Sequence, residues 1–400
     1  MFSPKRRLPS APSTRKRSFR PRLEELENRL APAGLLTLTI PKTIVPTQPP
    51  SGGPASAGPA LTSFSAASGA LSITGSGAAV QVAATADGGL NVTVNGQLLS
   101  SDPSSPNYYP ALAGAVESAV HNITLTGGGS VDALTLDNLS GSNLTIQSDG
   151  YATLGAVAES GQLTATAPRM TIDGAVSAAV LSLNSPGLLF VEGDGSLAAP
   201  SITVTADSYV STGQVRADGA QGGAVSVTAV DYLNAGVVSA SGSAGAGGSV
   251  TVNFTDSYID VQAAVTAAAG VGGAGGQISI DGGTTGRLFS SGTFTATGTT
   301  GGDIDLFGNS IALIAATADA DGSAGAGGRI RVGGDYQGNN PAVPNAQTVV
   351  VSNAATLSAD AGGMGAGGRI IVWSQSTTTF AGTLSAQPAG GAAGGFLEVS

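Results

Sequence analysis

Two close pairs of acids, Glu192/Asp194 and Asp319/Asp321, are the side chains best suited by type and spacing to acid–base work on a glycosidic bond, or to holding calcium. Each pair lies in or beside a glycine-containing turn, where acids commonly serve solvation alone. The chain has one histidine, His121, and no cysteine, which excludes most catalytic dyads and every thiolate metal site or disulfide. Gly127-Gly128-Gly129-Ser130-Val131-Asp132-Ala133-Leu134 follows the nine-residue calcium repeat G-G-x-G-x-D-x-U-x, with Ser130 in place of a glycine. Such sites share each ion between successive repeats, so a single imperfect copy reads as a structural turn. No phosphate loop of the form G-x-x-x-x-G-K-[ST] occurs, and no lysine follows Lys42. The expectation is a chain with no catalytic residues, no metal and no cofactor.

The elements that would position any site have an unusual composition. Of 400 residues 61 are glycine, charged residues make up 10% and aromatics 4%. Scarce Lys, Glu, Arg and Leu argue for strands and turns over helices. Nine of the 16 bases (Lys5, Arg6, Arg7, Arg15, Lys16, Arg17, Arg20, Arg22, Arg29) fall in the first thirty positions with only three of the 26 acids. The remainder is therefore acidic, by about sixteen charges, which argues against a nucleic-acid partner. Prolines 4, 9, 12 and 21 mark the basic head as disordered, and Phe19, Leu23, Leu26 and Leu30 give a short amphipathic helix stopped by Pro32. Residues 1–34 form this segment. R-P-R-L-E-E-L-E-N-R-L resembles the LEPR-type N-terminal segment of large bacterial surface proteins, which marks the export end of a chain. Residues 35–68, rich in Pro, Gly and Ser, read as a linker. No run of 18 apolar residues exists, so no transmembrane helix is expected.

From residue 69 to 150 short alternating runs such as GALSITGSG and GLNVTVNG read as antiparallel or solenoid strands, the start of a solenoid. Beyond 151 a glycine pair followed by alternating apolar residues recurs seven times, as GGAVSV, GGSVTV, GGQISI, GGDIDL, GGRIRV, GGRIIV and GGFLEV. The second glycines, Gly223, Gly248, Gly276, Gly302, Gly328, Gly368 and Gly395, lie 25, 28, 26, 26, 40 and 27 residues apart. A second phrase precedes each later pair (GVVSASG, AAVTAAA, GTFTATG, AATADAD, AATLSAD, GTLSAQP), so the unit holds two strand-like runs, two turns and no helix.

A period near 26 without helices implies an all-β parallel β-helix, a β-solenoid with coils of about 20–28 residues. Glycine pairs mark a corner, where positive φ is open to glycine. Positions two and four after the second glycine, from Val225/Val227 to Leu397/Val399, point inward. Positions one and three face outward and stack, which sets Asp303 and Asp305 against Arg329 and Arg331 as surface ion pairs. The long step holds GGDYQGNNPAVPNAQT (333–348), a protruding loop in which Tyr336, Asn339 and Asn340 form a candidate binding patch. Trp373 and the Thr377–Thr379 run read as wall and strand positions.

GGDYQGN, PNAQTVVVSNAATLSADA, GGRIIVWSQSTTTFAGTLSA and GGFLEVS resemble, in wording and order, the β-helical part of filamentous haemagglutinin-type exoproteins, over roughly 210–400. The resemblance implies a right-handed β-helix, exported to the surface or exterior of a bacterium and used in adhesion. The Asn-Pro-Asn-Gly signature of many relatives' secretion domains is not found in the chain. Ser400 falls inside a strand phrase, leaving an open C-terminal coil and the expectation of continuation or end-to-end assembly. The function expected is a non-catalytic adhesive or structural surface protein, whose partner is a host or neighbour cell surface, a glycan or matrix. The alternative is a polysaccharide-binding or polysaccharide-degrading β-helix.

Overall fold

The computed structural model describes residues 61–400 apart from 75–78, 127–132, 138 and 142. The basic head, the amphipathic segment and the calcium-like glycines with Asp132 lie outside the described residues. Residues 61–400 form a parallel β-helix in which each full coil contributes one strand to each of three ladders. The first ladder runs from Ala70–Thr74 through Asn122–Thr126 and Gln162–Thr166 to Phe396–Val399. The second runs from Ala79–Ala84 to Thr377–Phe380, and the third joins eleven short strands from Leu139–Gly141 to Thr383–Ser385. Among the described residues the helices are single 3-10 turns, and none is long and apolar enough to cross a membrane.

The sequence phrases map onto the first and third ladders: the glycine pairs enter the first, and the VVS, AVT and TFT phrases form the third. The second ladder is the strand that the sequence reading missed. In Val180–Val191, Ser201–Ser211, Ala224–Asn234 and Ser249–Asp260 a single strand serves both the first and the second ladder; Pro186-Gly187 marks the corner in the first of these, where the register shifts, and no glycine does in the other three. The coils also shorten toward the N-terminus below the expected range, Leu163 pairing with Leu181 one coil on.

Inward positions stack in register. Leu163, Leu181, Ile202, Val225, Val250, Ile278, Ile304, Ile330 and Ile370 follow one another coil by coil, each at most 1% exposed. Ala165, Leu183, Val204, Val227, Val252, Ile280, Leu306, Val332 and Val372 form a parallel column. Each large aliphatic side chain so buried stabilises by roughly 1.5–3 kcal/mol. Leu397 and Val399, on the last coil, keep the register and are 47% and 43% exposed.

The glycine pairs do turn a corner, yet not through positive φ: none of the seven second glycines has it. Close approach is the reason. Each donates its N–H within the coil to an alanine carbonyl, Gly276 to Ala267 at 2.7 Å and Gly328 to Ala320 at 2.8 Å. From Gly223 to Gly368 each carbonyl accepts from the next coil, Gly302 O from Arg329 N at 2.9 Å. A Cβ on Gly328 would collide with Gly302 O, and one on the preceding Gly327 with Ala359 O in the next coil. The alanines, buried from Ala217 to Ala359, complete the corner because a larger side chain would press on the same backbone.

At the N-terminal end the ladders are closed by antiparallel strands. Leu61–Ser65 covers the edge of Ala70–Thr74, and Leu90–Val94 with Gln97–Ser100 extends beyond Ala79–Ala84. The strand at 61–65 lies inside the stretch read as linker, because LTSFS is too short to show an alternation of its own. Its pairing shields an edge that would otherwise offer free backbone groups.

One stretch of the interior is polar. In the second ladder Tyr209, Tyr232 and Tyr258 stack inward at centroid separations of 4.5 and 5.3 Å. Two residues on, Ser211, Asn234, Asp260 and Ser290 make a fully buried polar column. Asp260 accepts from Ala263 N at 3.1 Å, and burial pushes its carboxyl up to about 6. Glu159 is pushed up to about 6 as well, by burial first and then by Glu117.

Two outcomes follow. Gly328→Ala costs about 2 kcal/mol or more in denaturant unfolding, whereas Gly193→Ala, where an added Cβ meets nothing within 4 Å, is close to neutral. Since the folded chain holds the Asp260 proton more tightly than the unfolded one, this group's contribution is full below about pH 4 and is lost as pH rises through about 6. Asp260→Asn therefore raises the melting temperature at pH 7 and flattens its fall between pH 4 and 7; Glu159 leaves a residual slope of the same sign.

Candidate functional site

The register expected for the acids and arginines holds: Asp303 pairs with Arg329 and Asp305 with Arg331. Arg329 Nη2 lies 3.2 Å from Asp303, both partly exposed. The second pair is not on the surface. Arg331 and Asp305 are 8% and 3% exposed and form a two-pronged contact, Nε to Oδ1 at 2.7 Å and Nη2 to Oδ2 at 2.8 Å. Phe307 lies under the guanidinium, 5.2 Å from ring centroid to Cζ.

The cover is the inserted loop. It leaves the first ladder at Gly333, where φ is +81° and a Cβ would strike Trp373 O, and enters the second ladder at Thr348. Asp335 Oδ2 accepts from Arg331 Nη1 at 2.9 Å and from Asn340 Nδ2 at 2.8 Å, while Oδ1 accepts from Tyr336 N at 2.7 Å. Partial burial acts to raise this carboxyl, but the hydrogen bonds and Arg331 outweigh it and hold it below its ordinary value. Trp373 underlies the loop: the indole leaves room for hydrogen alone at Gly338. Asn345 Nδ2 donates to Gly338 O at 3.0 Å. Gln347 N donates to Asn309 O of the preceding coil at 2.8 Å, so the loop is clamped to the wall at both ends.

Of the three residues expected to form a patch, Tyr336 and Asn339 are exposed, and Asn340 turns inward to Asp335. Beside the loop runs an open groove of about 680 Å³ along the glycine corner, lined by Asp303, Arg329, Arg369, Phe396 and the bare glycine pairs of successive coils. Arg369 sits one rung from Arg329, its guanidinium 5.5 Å from the Tyr336 ring centroid and 4.8 Å from that of Phe396. Sequence reasoning missed Arg369 and Phe396 as site residues. The signal was present, since both occupy the first outward position after a glycine pair, as Asp303 and Arg329 do.

The acid pairs that could have done chemistry are placed apart from this groove's lining. Asp321 Oδ1 accepts from Ser358 Oγ and Asp360 N of the next coil, both at 2.6 Å, and Asp360 repeats the clamp on Ser385 Oγ and Gln387 N. Asp319 accepts from Asp321 N at 3.0 Å, and burial raises its carboxyl, helped by the charges of Asp321 and Asp360. Glu192 and Asp194 sit in an open turn, and His121 is exposed. Among the described residues no three His, Asp or Glu side chains come together as metal ligands.

No family model matches the chain, and no curated protein matches it. Among solved structures it is similar to the HMW1 secretion domain from Haemophilus influenzae, at 16% identity and a TM-score of 0.46, with 86% of this chain and 92% of that one covered.

The buried and exposed ion pairs differ in consequence. Arg331→Leu leaves Asp305 charged under the loop and costs about 3 kcal/mol in unfolding. Asp303→Ala, at the exposed pair, costs at most about 1 kcal/mol.

Proposed function

We propose that this is a non-catalytic β-helical protein exported to the surface or exterior of a bacterium, a filamentous haemagglutinin-type scaffold that contacts a host or neighbour cell surface, glycan or matrix. One observation carries the reading: the loop at 333–348 is fixed to a buried Asp305–Arg331–Asp335 cluster while presenting Tyr336 and Asn339 to solvent. A rigid wall that holds one shaped excursion suits recognition, because little ordering entropy remains to be lost on binding. Of the acids that a lyase or hydrolase could use, Asp321 is engaged in holding its coil to the next, which favours the non-catalytic reading. The repeated phrases and the basic head with its resemblance to the LEPR-type segment bear on export.

Labelled chain applied to cells or to extracellular matrix shows saturable binding, and Tyr336→Ala with Asn339→Ala weakens it several-fold without moving the melting temperature. The reading fails if acidic polysaccharides incubated with the chain yield new reducing ends or unsaturated products and Asp319→Asn abolishes them.

A further inference from the structure

We infer that the groove along the glycine corner binds a uronate-bearing polysaccharide laid parallel to the solenoid axis, with Arg369 taking the sugar carboxylate. The inference rests on the non-catalytic recognition reading above and names its ligand class.

The charge balance of the groove points to an anion. Arg369 and Arg329 are in-register neighbours of like charge, an arrangement that by itself destabilises adjacent strands. Arg329 is compensated by Asp303 at 3.2 Å and Asp305 at 3.7 Å. Among the described residues no carboxylate lies within 4 Å of the Arg369 guanidinium, and its buried Nε has no hydrogen-bond partner. That Nε is closed to a ligand, as is the unpartnered Nε of Arg329, so a planar carboxylate would meet the two terminal nitrogens of Arg369 in two-pronged fashion.

The surroundings specify a sugar over other anions. Tyr336, 42% exposed, flanks Arg369 together with Phe396 and offers apolar ring surface to the C–H face of a pyranose. Asp303, open to the groove, can accept from hydroxyls. The floor is glycine backbone over four successive coils, which at ~4.8 Å per coil gives a trough of about 14 Å flanked by Asp303, Arg329 and Arg369. Nucleic acid needs several clustered cations, and here one unpaired arginine stands in an acidic chain. A polymer with one spaced carboxylate per sugar meets one guanidinium, and at physiological salt the remaining acids are screened beyond about 8 Å.

The test is calorimetric titration of the full chain with oligogalacturonate, its methyl ester and polyglutamate. Oligogalacturonate should bind saturably, Arg369→Ala and Tyr336→Ala should each weaken it roughly tenfold or more, and Arg369→Lys should fall between. Arg216→Ala, remote in the third ladder, should change nothing, the methyl ester should bind weakly, and unchanged thermal melts should show that each variant folds. Absence of oligogalacturonate binding, undiminished binding by Arg369→Ala, or equal binding of polyglutamate overturns the proposal. Cell binding that persists when oligogalacturonate fails removes only this groove assignment; loss of both removes the adhesive reading as well.

Discussion

Backbone approaches backbone at the glycine corner, and the rest of the molecule depends on that contact. In the seven coils from Gly223 on, the N–H of the second glycine is held by an alanine carbonyl of its own coil, and from Gly223 to Gly368 its C=O by the following one; the earlier coils, without the pair, keep the same register through their backbone ladders. No side chain fits between them. With that spacing fixed, residues one period apart fall into register, so valine and isoleucine columns form inside and every outward residue has a defined neighbour above and below. Asp303 meets Arg329 and Asp305 meets Arg331 for this reason. The corner that admits no side chain also leaves a bare trough on the outside, which the loop and the arginines turn into a recognition surface.

The repeat made much of this legible. The glycine pairs located the corner, alternation separated inside from outside, and the inward column from Val225 to Ile370 stands as read. What the pattern hid has physical causes. Glycine serves both for positive φ and for tight approach, and sequence does not separate the two. The second ladder escaped because its interior column passes through Tyr209, Tyr232, Asn234 and Asp260, residues that read as surface or turn. The Asp305–Arg331 pair was expected at the surface because nothing in the phrase GGRIRV shows that a loop inserted just afterwards folds back over it. Arg369 was overlooked since its importance lies in lacking the acid that Arg329 has one coil below.

Polar groups are distributed unevenly, and the pattern bears on function. Surface acids such as Asp321 and Asp360 tie one coil to the next through backbone N–H and serine hydroxyls, so they are part of the wall. Asp305, Arg331 and Asp335 fix a loop. Asp260 and the tyrosines sit in the core, and Asp260 lowers stability at neutral pH. Arg369, Tyr336 and Asn339 remain directed outward without a structural duty of comparable weight, and they lie together beside one groove.

The stacking itself is open to direct measurement, because the chain has no cysteine to interfere. Thr164, Ser182, Thr203, Ser226, Thr251 and Ser279 occupy one outward column on successive coils. Spin labels on Thr164→Cys and Ser279→Cys, five rungs apart, should give a narrow distance distribution centred near ~24 Å by electron–electron resonance. A separation beyond about 35 Å, or a broad spread, would mean that these coils do not pile up in register.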